Sequence, residues 1–383
     1  MVLTYAVLDF RTSANTAIKA VARGGVHAAL FSILFTYGIY YLFTFWKDNT
    51  FSPVKSTLWL VTVIVIVSDS VQSAYNWSAA IHIALSLLWL FLYHFFRNYL
   101  KSNPQAINQV VGIVGIFFLF YVFSALYATY FINAYMAQKG QDRLAVVNLV
   151  YSVIVFLPWI PLVKKRWIRT CAVCIVLLVV LVSMKRGAII VFPLMLSTWM
   201  LVEAKVNKQN LFRPATKIIS MMILFIAGLL VADILSNGFL SERFSTKELA
   251  SGSGRSNMYS YVLKDAAERS FTDLLFGYGS GISHGVHNEW LEFLFTFGFI
   301  GVIAYVLLLS ALFWEMRQLI KRSSPYSPAY AMAIVYMLVV GMYGGVFFVH
   351  SMLFVMTLFG TIQGLMLNNS NRMQALNFDN ATL

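Results

Sequence analysis

The string His287-Asn288-Glu289-Trp290-Leu291-Glu292-Phe293 sets an imidazole, an amide and two carboxylates where a polar segment enters an apolar run reading on through Gly298 and Gly301. A histidine of near-neutral pKa can take a proton from a hydroxyl in a transition state. Glu289 and Glu292 can orient that imidazole or bind hydroxyls, and the preference of helix starts for acids accounts for them equally well. Two arginines stand in unusual places: Arg186 in Lys185-Arg186-Gly187, inside apolar sequence, and Arg255 behind Ser251-Gly252-Ser253-Gly254. A guanidinium keeps its charge and presents a planar fork that grips phosphate oxygens in pairs. Each arginine also has a bland reading: Arg186 as an interfacial side chain snorkelling to the headgroups, Arg255 as a surface residue. Taken together, two arginines and a histidine can hold a diphosphate and move a proton. Asn288, Glu289, Glu292, Lys185, His284 and Tyr259 are the candidate supporting residues.

Metal chemistry is the weaker reading of the same string. His284 and His287 are three apart and could share an ion with an oxygen from Glu289 or Glu292, but Glu289 at i+2 would point away from His287 on a helix. We assign no metal and no cofactor. The glycines of Gly277-Tyr278-Gly279-Ser280-Gly281 lack the Gly-Lys-Ser/Thr ending of a phosphate loop and follow no strand, which predicts a flexible turn. Cys171 and Cys174, the two cysteines of the chain, form a Cys-x-x-Cys without further ligands and read as small apolar helix filling.

The elements that must position these groups are membrane helices. Of the 383 residues 60% are hydrophobic and 11% charged, with a mean hydropathy of +0.74, against about 25% charge in a soluble domain. A membrane helix needs about 20 apolar residues. Runs of that kind predict roughly eleven spans (ten to twelve), with cores at 27–46, 57–75, 78–96, 107–130, 144–163, 168–184, 187–203, 218–235, 289–313, 330–348 and 351–368. The chain is thus expected to be an all-α polytopic membrane protein, one transmembrane domain over 1–383. Short dyad alternation, the mark of a β-barrel, is not what these runs display. Residues 1–24 lack the apolar stretch of a secretory signal. The long polar segment 236–288 separates the eighth and ninth spans and is expected to carry the chemistry.

Basic residues set the expected orientation. Lys164, Lys165, Arg166 and Arg169, then Lys205, Lys208, Arg213 and Lys217, then Arg317, Lys321 and Arg322 flank spans on what should be the cytoplasmic side. Residues 236–288 then face outward together with Lys185, Arg186 and His350, and the C-terminus lies inside. Eleven spans would put the N-terminus outside, against the preference of Arg11, Lys19 and Arg23. The net charge of +13 follows from these flanking positives and from anionic headgroups, so nucleic acid is not an expected partner.

At the level of motifs, Ser183-Met184-Lys185-Arg186-Gly187-Ala188-Ile189-Ile190, Ser253-Gly254-Arg255-Ser256-Asn257-Met258-Tyr259, the glycine turn 277–281 and His287-Asn288-Glu289-Trp290-Leu291-Glu292 resemble the O-antigen ligase/polymerase superfamily. These are bacterial membrane glycosyltransferases of the Wzy polysaccharide polymerase and lipopolysaccharide O-antigen ligase kind. The His-Asn-x-x-Leu signature with its trailing Phe-Gly-Phe-Ile-Gly is the most specific part. The motifs cover about 180–305, while the first 140 residues match in hydropathy only. The resemblance implies a GT-C-like fold in the bacterial inner membrane, with its active site on the periplasmic side. It implies metal-independent, inverting transfer of a glycan from an undecaprenyl-diphosphate carrier. Arg186 and Arg255 correspond to the arginines that hold the diphosphate, and His287 to the loop histidine that acts as base or orients the acceptor.

The expected function is polymerisation of lipid-linked oligosaccharide repeat units, with glycan donor and acceptor, membrane lipids and a chain-length regulator protein as partners. Ligation of the finished glycan to lipid A–core is the alternative within the superfamily. Transport of a lipid-linked anion is the alternative outside it, since charges inside membranes also mark substrate paths. Charges that gather at one outer face, without inverted repeats, favour an enzyme over a conduit.

Overall fold

A computed structural model describes residues 52–72, 77–138, 149–210, 212–245, 255–280, 288–343 and 351–381. The expected span at 27–46, the N-terminal topology, His284, His287 and His350 lie outside these residues. The described chain is helical, without a strand. In chain order the helices are α1 (Pro53–Val71), α2 (Trp77–Ser102), α3 (Ile107–Gln138), α4 (Val150–Ile154), α5 (Arg166–Ser183), α6 (Arg186–Val206), α7 (Phe212–Leu235), α8 (Phe239–Arg243), α9 (Arg255–Glu268), α10 (Phe271–Phe276), α11 (Glu289–Lys321), α12 (Ser327–Tyr343) and α13 (Ser351–Ala381). Eight described helices are long and apolar enough to cross a membrane, so the protein is a multi-pass, all-α membrane protein.

One of the predicted spans is broken. At 144–163 the structure has α4 and then a 3-10 helix, Leu157–Leu162, which contains Pro158 and Pro161. Each proline removes an N–H donor and stops a regular helix from forming. Val153, Ile154 and Leu157 are fully buried there, so the broken segment sits in the core. The described part of α12 is 17 residues long. Within segment 236–288 the described residues hold three helices, α8, α9 and α10; α9 matches the helical stretch that the sequence predicts over 256–269, while α8 and α10 fall where it predicts loop.

α1 begins as its sequence dictates: the Ser52 hydroxyl accepts from the Lys55 N–H at 3.3 Å, and Pro53 takes the first helical position. α13 lies against α2 at backbone contact. A Cβ on Gly360 would stand 2.3 Å from the Tyr93 carbonyl oxygen, and one on Gly364 would stand 2.4 Å from that of Arg97. Small residues four apart let two membrane helices approach this closely, and packing there replaces a hydrophobic drive that lipid cannot supply. α7 is the exception among the spans, with 6% of its apolar window buried. Ile219, Ile223, Leu224 and Ile234 face outward from it, as a lipid-facing helix requires.

The two ends of the bundle differ. At one end Asp69, near the end of α1, binds Ser280. At the other, Ser52 at the start of α1 donates to Glu315 at 3.0 Å, near the end of α11. Tyr330 donates to Glu315 at 2.7 Å, the Gln363 amide also donates to it, and the Tyr93 and Ser52 hydroxyls are 3.0 Å apart. Arg97, 1% exposed, lies close enough to Glu315 to interact electrostatically. The expectation that charge gathers at a single face is therefore corrected: side chains from five helices converge around a buried carboxylate at the opposite end. The predicted span ended at 313, two residues short of Glu315, which hid it. Cys171 and Cys174 are exposed on α5 and do not fill the core; the valines Val176, Val179 and Val180 do.

Candidate functional site at the Asn288 end

α11 starts at a strong cap. The Asn288 side-chain oxygen accepts from the N–H groups of Trp290 and Leu291 at 3.1 and 3.2 Å, and Glu289 and Glu292 follow in the first turn. The cap and the acids answer the positive end of the helix dipole. Glu289 is nonetheless 1% exposed, which capping alone does not require. It packs beside Tyr305 and Gly341: a Cβ on Gly341 would stand 3.3 Å from the Glu289 Cβ and 3.5 Å from the Tyr305 hydroxyl. The Tyr305 ring stacks on Phe293 at 4.8 Å and meets Trp290 edge-on at 4.9 Å.

α9 lies on the first turns of α11. Val262 and Phe295 form a buried pair, with Met258, Tyr259, Tyr278 and Leu291 packed against it. Arg255 begins a helix with no acid in its first turn. Arg186 likewise begins α6 without a first-turn acid, behind Lys185 as cap residue and Met184 in the left-handed region (φ 47°). A cation at a helix N-terminus adds to the positive end of the dipole. Lys185, Arg186, Tyr259 and Glu292 are half-buried.

Arg269 locks the assembly. Its guanidinium binds the Asp265 carboxylate through Nε and Nη2 at 2.8 and 2.6 Å. It also donates to the carbonyls of Leu294 and Phe295 at 3.1 and 3.4 Å and lies 4.1 Å over the Tyr278 ring. The Tyr278 hydroxyl donates to Asp265 at 3.1 Å. Its pKa is raised, first by burial and then by that carboxylate.

Those carbonyls accept because α11 is broken at Gly298, whose φ is 62°. The glycine turn docks into the break. Tyr278 and Gly279 donate N–H to the carbonyls of Phe295 and Thr296 at 3.0 and 2.9 Å. Gly277 has φ 69°, and a Cβ there would stand 2.4 Å from the Thr296 carbonyl. The predicted flexible turn is, over 277–280, pinned instead. Ser280 holds both oxygens of the buried Asp69 at 2.6–2.8 Å, and Gln72 donates to Asp273 at 2.8 Å and to the Gly277 carbonyl at 2.5 Å. The Asp273 carboxyl is held below its ordinary value, chiefly by the Ser270 hydroxyl and next by Gln72.

The structure thus sets Asn288 and Glu289 at the start of α11 and packs Tyr259 of α9 against Phe295 of the same helix, with Arg255 at the start of α9. Lys185 and Arg186 occupy the start of a separate helix, and His284 and His287 lie outside the described residues, His287 being the immediate neighbour of the cap. Sequence reasoning missed the roles of Arg269, Tyr305 and Gly341. Asp265 four residues before Arg269 was a readable helical ion-pair signal; nothing in the sequence marked Tyr305 or Gly341. No protein-family profile matches the sequence, and no curated protein is recognisably similar to it.

Proposed function

We propose that this protein is a membrane glycosyltransferase that polymerises polyprenyl-diphosphate-linked oligosaccharide repeat units at the outer face of the bacterial inner membrane. The observation that supports the reading is the pair of arginine-led helix starts, Arg255 on α9, a helix that packs on α11 through Val262 and Phe295, and Arg186 at the head of α6, each without a first-turn acid. Guanidiniums added to helix N-termini suit a diphosphate, whose charge grows as the glycosidic bond to it breaks. His287, next to the cap, receives the acceptor hydroxyl proton, and the hydroxyl oxygen attacks the anomeric carbon from the face opposite the departing diphosphate. Asn288 fixes where the chain leaves the helix. Glu289, Glu292, Lys185, His284 and Tyr259 support the pocket. No nucleotide is needed, because the carrier already provides the leaving group.

The test is polymerisation by purified protein, with a defined lipid-linked repeat unit as sole substrate and EDTA present. A ladder of lengthening glycans, lost in His287→Ala, is expected. Transfer only after lipid A–core is added makes the protein a ligase. Movement of the lipid across liposomes without a new glycosidic bond makes it a transporter and refutes the enzymatic reading.

A further inference from the structure

A second basic site lies away from the groups just described. Arg166 and Arg169 on α5 and Arg213 and Lys217 on α7 converge on one cavity of about 710 Å3, closed on its third side by the end of α6. Four cations face a single carboxylate there, that of Glu203. The cavity exists because the helices splay. α5 and α7 meet near Gly228, where a Cβ would lie 3.5 Å from Leu181, and Phe192 of α6 packs on Phe225 at 5.7 Å. Toward Arg166 and Arg213 they part. Neither α5 nor α7 has an acid in its first turn, so both helix dipoles add positive potential to the mouth.

Charge next to a membrane span normally answers only to orientation, and then it need not converge. Here three helices aim it into one volume. Trp199 and Val173 line the same cavity, giving an apolar wall beside the cations. The flank is α7, whose outward face is apolar at Ile219 and Ile223 and is scarcely covered by protein. A soluble anion has no use for such a flank; a phosphate attached to acyl chains does.

We propose that this cleft between α5, α6 and α7 holds the phosphate of an anionic membrane phospholipid, with the acyl chains along α7. Basic pockets between helices on the cytoplasmic side are where such headgroups bind. Cys174 lines the cavity, while Cys171, one turn away, does not, and these are the two cysteines in the chain. The full-length protein with Cys171→Ser is placed in bilayer discs of phosphatidylcholine, or of phosphatidylcholine with phosphatidylglycerol, and alkylation of Cys174 by a neutral maleimide is timed. Phosphatidylglycerol should slow it about tenfold, the protection expected with lipid at roughly ten times its dissociation constant. Cys171, read in Cys174→Ser protein, reports the general effect of surface charge and should change little. Arg213→Gln with Lys217→Gln, both exposed positions, should abolish the protection of Cys174. Equal rates in the two lipids, equal slowing of both cysteines, or protection surviving in the double variant would overturn the proposal. Protection by inorganic phosphate in pure phosphatidylcholine would reassign the cleft to a soluble anion.

Discussion

Gly298→Ala is the most demanding test of the architecture at the Asn288 end. The residue has φ 62° inside α11, and an added Cβ would stand 2.4 Å from the carbonyl carbon and oxygen of Leu275 and 2.6 Å from the Gly277 nitrogen. An L-residue in the left-handed region costs about 1–2 kcal/mol. The clash meets backbone that cannot rotate away, so α10 and the glycine turn must retreat. Their retreat weakens the N–H bonds from Tyr278 and Gly279 to the Phe295 and Thr296 carbonyls, at about 0.5–1.5 kcal/mol each. The sum is about 2–5 kcal/mol, reaching the range reserved for named structural lesions. The control is Gly112→Ala on α3, where a Cβ meets nothing within 4 Å, and which should be neutral or slightly stabilising. Thermal unfolding of both variants in the same detergent is the assay. A Gly298→Ala midpoint equal to that of Gly112→Ala would mean that the break in α11 is not the rigid dock described above.

Arg186→Lys keeps the charge and loses the fork, so insertion should be normal and glycan transfer should fall at least tenfold; full activity would make Arg186 a snorkelling residue. Arg269→Ala strands Asp265 and uncovers two carbonyls, and should destabilise the protein by about 3 kcal/mol, read by denaturant unfolding. Gly364→Leu should separate α13 from α2 and prevent accumulation of folded protein, whereas Gly115→Leu, open to space, should accumulate normally; this is measured by size-exclusion yield. Because the folded-state pKa of Asp273 is depressed, its contribution to stability is present above its ordinary value of 3.8 and lost as pH falls through the folded value. Unfolding midpoints should therefore drop less below pH 3.8 in Asp273→Asn than in the wild-type protein.

The positions of the spans were legible because bilayer thickness imposes a length on apolar sequence, and nothing else in the chain produces such runs. The apolar run at 144–163 was read as a full span although Pro158 and Pro161 were in plain view: burial in a bundle of other helices carries a broken segment that lipid alone would not. Which helix lies against which was not legible. A side chain facing lipid and one facing another helix have the same hydropathy, so α7 and α13 read alike although one is bare and the other nearly enclosed. What distinguishes α13 is Gly360 and Gly364, whose partners are backbone atoms on a helix more than two hundred residues earlier.

The same logic divides the site. Arg186 and Asn288 stood out because charge or an amide at a membrane boundary needs a local reason, and a local signal suffices to find them; Arg255 read alone as a surface arginine and gained meaning only beside them. Gly277 and Gly298 were equally visible, but each looks like an ordinary flexible residue until the other is known, since the clash that forbids a side chain at either is with the other's segment. Glu289 was readable equally as a capping acid and as a group that orients His287 or binds hydroxyls; its position explains the first role and its burial exceeds it. The excess comes from Gly341 and Tyr305, which make a space for a carboxylate one turn inside the bundle. A capping acid belongs at the rim, where water can reach it; Glu289 sits against an aromatic wall beneath the Asn288 cap. If it only capped α11, Glu289→Asp would be nearly neutral. If it positions the histidine two residues before it, shortening the side chain should cut turnover by about tenfold or more, the scale of a misplaced catalytic group, while the thermal midpoint stays close to wild type. Equal losses of stability and turnover in Glu289→Asp would return Glu289 to the role of a buried structural residue.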